Sequence, residues 1–223
     1  MRSRPIRLLL VDDHLSSREP LAELLDRQPD LTVVGQVGSL AEARSMVTSG
    51  LAFDIAIVDL DLGDGNGVEI IRDLCRRHSD AEVLVLTGMV DERMLGRAIL
   101  EGASGIVPKT AATVEVIAAI RKLAAGESIM PPAEAAALVE RGRQYQHEEE
   151  AVQHALGELS PREREVLRAL AAGLSNEAIA ERMCVSHETV RSHVARILHK
   201  LGVSSRLQAA IIAIHHGWGD DSR

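Results

Sequence analysis

Along the first half of the chain, short continuous apolar runs alternate with stretches whose apolar residues recur at helical spacing. The runs are Ile6–Val11, Leu31–Val37, Ile55–Val58, Val83–Leu86 and Gly105–Val107. Between them lie sets such as Leu21, Leu24 and Leu25, or Ile70, Ile71 and Leu74. A strand that is apolar on both faces is buried on both faces, which predicts a parallel sheet covered by helices on each side. Ser16 with Glu19 and Ser39 with Glu42 have the spacing of capping boxes at two helix starts. Five strand-then-helix repeats predict a doubly wound, five-stranded parallel α/β domain over residues 1–125.

The pattern then changes. Residues 126–156 carry two prolines, an alanine-rich stretch and the acidic run Glu148–Glu150, and read as a connecting helix followed by a flexible linker. Residues 157–223 are patterned for helices only. Ser160-Pro161-Arg162-Glu163 combines a cap residue, a proline at the first helical position and a glutamate at the third. Three more helices are predicted at about Asn176–Met183, His187–Leu201 and Ser205–His216, giving an all-α, four-helix domain. Only Cys184, Val185 and Ser186 separate the middle two, which forces a tight helix-turn-helix corner. In His187–Leu201, Val190, Val194, Ile197 and Leu201 form one apolar stripe, expected to pack on Leu167, Leu170, Ile179 and Met183. Glu188, Arg191, Ser192, Ala195 and His199 face the other way.

Composition narrows the functions open to such a chain. Of 223 residues 46% are hydrophobic but only 1% aromatic, against an aromatic-lined small-molecule pocket or RNA reading by base stacking. No apolar run approaches the ~18 residues that cross a membrane, and the first one ends in two acids, without a signal-peptide cleavage site. Two cysteines, Cys75 and Cys184, suit a reduced cytoplasmic setting. The net charge of −8 is unevenly spread, at −5 over residues 1–125, −4 over 126–156 and +1 over 157–223. Contact with nucleic acid must therefore come from a local patch.

The acids give the first half its candidate chemistry. Ligand sites of doubly wound sheets lie outside the carboxyl ends of the strands. Asp12 and Asp13 end the first strand, Asp59 the third, Thr87 the fourth and Lys109 the fifth, while Asp61 and Asp64 follow Asp59 closely. Carboxylates crowded this way suit a hard, oxygen-preferring cation. A calcium loop counted from Asp59 fails, because it needs glycine and glutamate where the chain has Asp64 and Ile70. Magnesium together with a phosphate fits better: Lys109 offers a charge and Thr87 a hydroxyl to phosphoryl oxygens, and Asp59 is placed to attack phosphorus. In the second half, a helix apolar behind and basic in front suits the DNA major groove. There Arg191 is a candidate for guanine edges, and Arg196 and Lys200 for phosphates. The spacing of His187, His193 and His199 does not put them on one face, which argues against a metal there.

VDDH, IVDLDL, VLTG and GASGIVPK, in this order, resemble the receiver domain of bacterial response regulators over about residues 6–125, a flavodoxin-like fold. The resemblance implies that a partner histidine kinase phosphorylates Asp59, assisted by Thr87 and Lys109. It also implies that Asp12, Asp13 and Asp59, with the backbone carbonyl of Asp61, hold Mg2+. Residues 157–216 resemble the LuxR-type helix-turn-helix, in which Thr189, Arg191 and Ser192 face the bases. Together the halves resemble a NarL/FixJ-type response regulator, not an enzyme. The resemblance implies a cytoplasmic transcription factor that dimerises when phosphorylated, through the last helix, and reads paired half-sites in promoter DNA. VDLDLGDG and VLVLTG also resemble two motifs of haloacid-dehalogenase-type phosphohydrolases, magnesium enzymes with an aspartate nucleophile. In those enzymes the nucleophile motif opens the fold, whereas here VDDH precedes VDLD by about fifty residues. Two positions depart from the receiver pattern: Ile106 stands where a tyrosine or phenylalanine is usual, and Pro108 directly precedes Lys109. Ile106 leaves open a regulator that binds DNA without phosphorylation. Ala195 stands where a basic residue is frequent in the LuxR-type reader.

Overall fold

A computed structural model describes residues 4–88 and 91–218, in two compact units meeting at Gln146/His147. In the first, strands β1 (Ile6–Val11), β2 (Leu31–Val37), β3 (Ile55–Val58), β4 (Glu82–Thr87) and β5 (Gly105–Pro108) form one parallel sheet in the order β2-β1-β3-β4-β5. All four residues of β3 are buried. Alternate side chains feed two cores. Leu9, Val11, Ala56, Val58, Val83 and Val85 join one face, packed under α2 (Leu40–Thr48), α3 (Gly67–Arg77) and α4 (Glu92–Leu100). Leu8, Leu10, Ile55, Ile57, Leu84 and Leu86 join the other, packed under α1 (Leu15–Asp26) and α5 (Thr113–Ala124). A sheet buried on both faces is what the unbroken apolar runs predict. Pro108 sits in the last register position of edge strand β5, opposite Thr87, where no ladder donor is required of it.

Two local expectations change. α1 begins at Leu15, so Ser16 is inside its first turn and is no cap. The Asp12 carboxylate takes the His14 N–H (2.8 Å) and the Ser17 hydroxyl (2.9 Å) instead, which starts the helix closer to the strand. Ser39 does cap α2, accepting from the Glu42 N–H, but Glu42 reaches the Gly38 N–H and not that of Ser39.

The acidic run lies in a helix, not in a flexible linker. α6 is continuous from Pro132 to Gly157. Its first half is held on α4 at Gly96 and Gly142. A Cβ at Gly96 would come within 1.9 Å of the Leu138 carbonyl, and one at Gly142 within 2.4 Å of the Gly96 carbonyl carbon. Two backbones approach this closely only where both side chains are absent. Tyr145 lies against the guanidinium groups of Arg93 and Arg97, and packs on the same apolar cluster as half-buried Ile106. The last turns of α6 bury Leu156 in the core of the second unit. Tertiary packing on either side of the acidic stretch sustains the helix through it.

The second unit adds α7 (Pro161–Ala171), α8 (Asn176–Met183), α9 (His187–Lys200) and α10 (Arg206–His215). Ser160 and Glu163 form a complete capping box at α7, with Pro161 in its first turn. Between α8 and α9 the chain turns through Cys184, whose φ of 53° lies in the left-handed region usually taken by glycine. No single described helix is long and apolar enough to cross a membrane.

Candidate functional site

The ends of β1, β3, β4 and β5 bring the sequence-singled residues to one edge of the sheet. Asp12 and Asp59 are buried carboxylates and Thr87 a buried hydroxyl residue. Like charges this close would repel, and Lys109 offsets the repulsion: its Nζ lies 2.7 Å from Asp12 Oδ2 and 2.7 Å from Asp59 Oδ2. Burial works against ionising Asp12, but hydrogen bonds from Lys109, His14 and Ser17 outweigh it and hold the carboxyl below its ordinary range. Burial likewise works against the Lys109 ammonium, and its bonds to Asp12 and Asp59 prevail, raising its pKa. The Lys109 N–H donates to the Thr87 carbonyl (2.9 Å), so backbone pairing sets the height of the amine above the sheet edge. Asp59 and Lys109 border a cleft of about 440 Å³, lined also by His14, Ser16, Ser17, Asp61 and Gly88.

Asp12, Asp13, His14 and Asp59 each place a ligand atom within 4.8 Å of the others. Asp13 Oδ2 accepts the Gly63 N–H (3.1 Å). Asp13 Oδ1 is buried and, although 2.6 Å from His14 Nδ1, makes no hydrogen bond of proper geometry. An orphaned carboxylate oxygen beside two further carboxylates fits a divalent cation that prefers oxygen. His14 escaped the sequence reading although it stands next to the acid pair in VDDH. Asp61 is exposed and its carboxylate is outside this group, while its N–H donates to Asp59 Oδ1 (3.3 Å). Asp64 is elsewhere altogether. Its carboxylate accepts the N–H groups of Leu40 (2.7 Å) and Ala41 (3.1 Å) at the start of α2, which hold its pKa below the usual carboxylate range. Gly67, also unremarked in the sequence, packs directly on the backbone of Asp59.

In the second unit Ser186 caps α9 by accepting the Thr189 N–H (3.1 Å). Val190 and Ile197 are fully buried, with Leu167, Leu170 and Ile179, and Val194 and Met183 pack around them. Thr189, Arg191, Ser192 and Arg196 are exposed on the far side of α9. Arg191 has a loose ion pair with Glu188 (3.5 Å), one turn away and itself exposed. Lys200 departs from this set. Its Nζ is 2.8 Å from Glu163 Oε2 and 3.1 Å from the Glu158 carbonyl, so its charge is committed to a buried carboxylate of the α7 cap. In α10, Ala209, Ala210 and Ala213 turn inward, and Leu207, Ile211 and Ile214 are exposed at a four-then-three spacing.

Two family models match the chain, one in each half. Residues 8–121 match the model of the response regulator receiver domain, and residues 157–213 that of the luxR family of bacterial regulatory proteins. The chain is 39% identical to the DNA-binding transcriptional activator DevR/DosR of Mycobacterium tuberculosis, over 93% of this chain and 94% of that protein. It is 35% identical to the transcriptional regulatory protein LiaR of Bacillus subtilis, over 93% and 96%. Among solved structures, a two-component response regulator of the LuxR family from Aurantimonas superposes with a TM-score of 0.54 at 31% identity, over 61% of this chain and 96% of that one.

Proposed function

Because the chain belongs to the NarL/FixJ-type response regulators, two-component proteins that join a receiver to a luxR-type DNA-binding domain, we propose that Asp59 is its phosphoacceptor and α9 its DNA reader. The observation that carries the reading is the Lys109 ammonium, 2.7 Å from both Asp12 and Asp59. An Asp59 oxygen attacks the phosphorus of a histidine kinase's phosphoimidazole or of acetyl phosphate. The bond from phosphorus to the donor breaks, and imidazole or acetate leaves. Lys109 neutralises charge on the incoming phosphoryl oxygens and Thr87 offers them a hydroxyl. Asp12, Asp13 and Asp59, with the Asp61 carbonyl, would hold Mg2+, which when bound supplies further neutralisation of those oxygens.

The test is the intact mass of the protein after incubation with acetyl phosphate and Mg2+, beside Asp59→Ala. One phosphoryl group is expected on the wild-type chain and none on the variant. No gain on either chain would favour a regulator that works without phosphorylation. Continuous release of phosphate with none retained would favour the phosphohydrolase reading.

Phosphorylation is proposed to favour a homodimer through Leu207, Ile211 and Ile214, so that two readers meet paired half-sites of promoter DNA in the cytoplasm. On DNA selected from a random pool by the wild-type chain, Arg191→Ala should weaken specific binding about 5- to 150-fold, as expected for a lost bidentate base contact. Arg196→Ala should weaken binding to all sequences and lower the salt slope by about one. Lys200→Ala should leave the salt slope unchanged, because its charge faces Glu163. A lowered slope would return Lys200 to the phosphate contacts.

A further inference from the structure

We propose that Asp64 is a positioning residue for the cation site: it clasps the loop after Asp59 to the start of α2, and through that loop fixes the Asp61 carbonyl and the Gly63 N–H. The inference rests on the cation site of the reading above and assigns a role to the acid of VDLDLGDG that contributes neither its carboxylate nor its carbonyl to that site. Asp64 is not among the converging ligand atoms. Its two oxygens instead take the first two N–H groups of α2, at Leu40 and Ala41, from 23 or 24 residues away. α2 already has its own cap in Ser39, which takes the third N–H, at Glu42. Asp64 is thus more than a helix cap, and what it adds is a hold on the loop.

That loop has little else to fix it. Residues 61–66 form a ribbon of two pairs only, Asp61 with Asn66 and Leu62 with Gly65, too short to be stable alone. Gly63 and Gly65 make its unfolded backbone unusually free. At one end the loop touches the site twice, through the Asp61 N–H to Asp59 Oδ1 (3.3 Å) and the Gly63 N–H to Asp13 Oδ2 (3.1 Å). At the other it is seated on α2, with Leu62 buried in the same cluster as Leu40, and with a Cβ at Gly65 falling 2.6 Å from Leu40 Cδ2. The Gly63 contact occupies one oxygen of Asp13 and leaves the orphaned one for a cation. Releasing Asp64 frees the tip of the loop, and the loop's two contacts with the ligands loosen with it. Outer contacts of this kind orient ligands and tune metal affinity.

The experiment is a calorimetric titration of Mg2+ into the full unphosphorylated chain, for wild type, Asp64→Ala, Asp64→Asn and Ser39→Ala. Asp64→Ala is expected to raise the Mg2+ dissociation constant about tenfold, and Asp64→Asn, with one acceptor oxygen for two N–H groups, by less. Ser39→Ala removes a cap from the same helix without touching the loop, and should leave Mg2+ binding unchanged. Phosphorylation of Asp64→Ala by acetyl phosphate should be slow at limiting Mg2+ and recover at saturating Mg2+. The proposal is overturned if Asp64→Ala binds Mg2+ like wild type, or if Ser39→Ala weakens it equally. A wild-type chain that binds Mg2+ but gains no phosphoryl group overturns the phosphoacceptor reading and not the role of Asp64. One that binds no Mg2+ overturns both.

Discussion

Replacing Gly67 with alanine is expected to destabilise the first unit severely and to suppress the proposed phosphorylation at Asp59, although Gly67 carries no chemistry. It is the first residue of α3, and its N–H donates to the Leu60 carbonyl (2.9 Å). An added Cβ would lie 2.1 Å from the Asp59 carbonyl oxygen and 2.8 Å from Leu60 Cα. Both are backbone atoms of the turn leaving β3, and neither can rotate aside as a side chain would. Overpacking in a core costs about 1–3 kcal/mol, and backbone that cannot yield puts this site at the upper end. About 3 kcal/mol corresponds to a fall in Tm of roughly 10 °C for a unit of this size. The turn must shift by about 1 Å to relieve the contact, and a displacement of that order at a reacting group costs about a hundredfold in rate. Gly88→Ala is the control for stability alone, since among the described residues a Cβ there meets nothing within 4 Å, although Gly88 lines the cleft. Thermal melts by circular dichroism and the rate of mass gain with acetyl phosphate check both effects. A Tm of Gly67→Ala within about 2 °C of that of Gly88→Ala would sink the steric argument.

Features repeated along the chain were visible in the sequence, and features joining distant residues were not. β3 was readable because burial on both faces leaves an unbroken run, Ile55–Val58, and once the strands are placed the topology puts Asp12, Asp59, Thr87 and Lys109 on one edge. α8 falls at Asn176–Met183 as its spacing predicts, because the Ser175 cap and the short turn mark both of its ends locally. No such local mark shows that Asp64 binds an N-terminus 24 residues back, or that Lys200 turns from the α9 surface to a carboxylate 37 residues away. The continuity of α6 was hidden for a related reason. Its acidic middle has the composition of a solvated linker, and what holds it helical is Gly142 against α4 and Leu156 in another core. Ser16 misled because its spacing to Glu19 copies a cap, while the Asp12 carboxylate had already moved the helix start.

Glu163→Gln is expected to flatten the acid limb of the second unit's stability. Glu163 Oε2 accepts from the Ser160 N–H (2.8 Å) and from Lys200 Nζ (2.8 Å), and the residue is buried. Burial alone would raise its pKa, but the Lys200 and Ser160 hydrogen bonds prevail and depress it from 4.5 to about 2. In the unfolded chain the same carboxyl binds a proton near pH 4.5, so between about pH 4.5 and 2 the unfolded state holds more protons than the folded one. Stability from this group is therefore complete above pH 4.5 and is lost as the pH falls toward 2. The shift corresponds to at most about 3 kcal/mol, of which about 1 kcal/mol is gone by pH 3.5. Glutamine keeps an acceptor for Ser160 but gives Lys200 no charge, so the variant should be less stable at pH 7 by about 1–3 kcal/mol and should lose less on acidification. Trp218, the one tryptophan of the chain, packs on the core of this unit and beside Arg164 and Arg168, so its fluorescence reports unfolding there. Urea midpoints read by Trp218 at pH 7 and 3.5 should converge between wild type and Glu163→Gln, and parallel curves would mean that the pair contributes nothing. Adding Lys200→Ala to both chains closes a double-mutant cycle. A coupling that vanishes by pH 2 would identify Lys200, the one lysine of α9, as the tie that anchors this helix to the cap of α7, which leaves the proposed DNA contacts to the residues nearer the helix start.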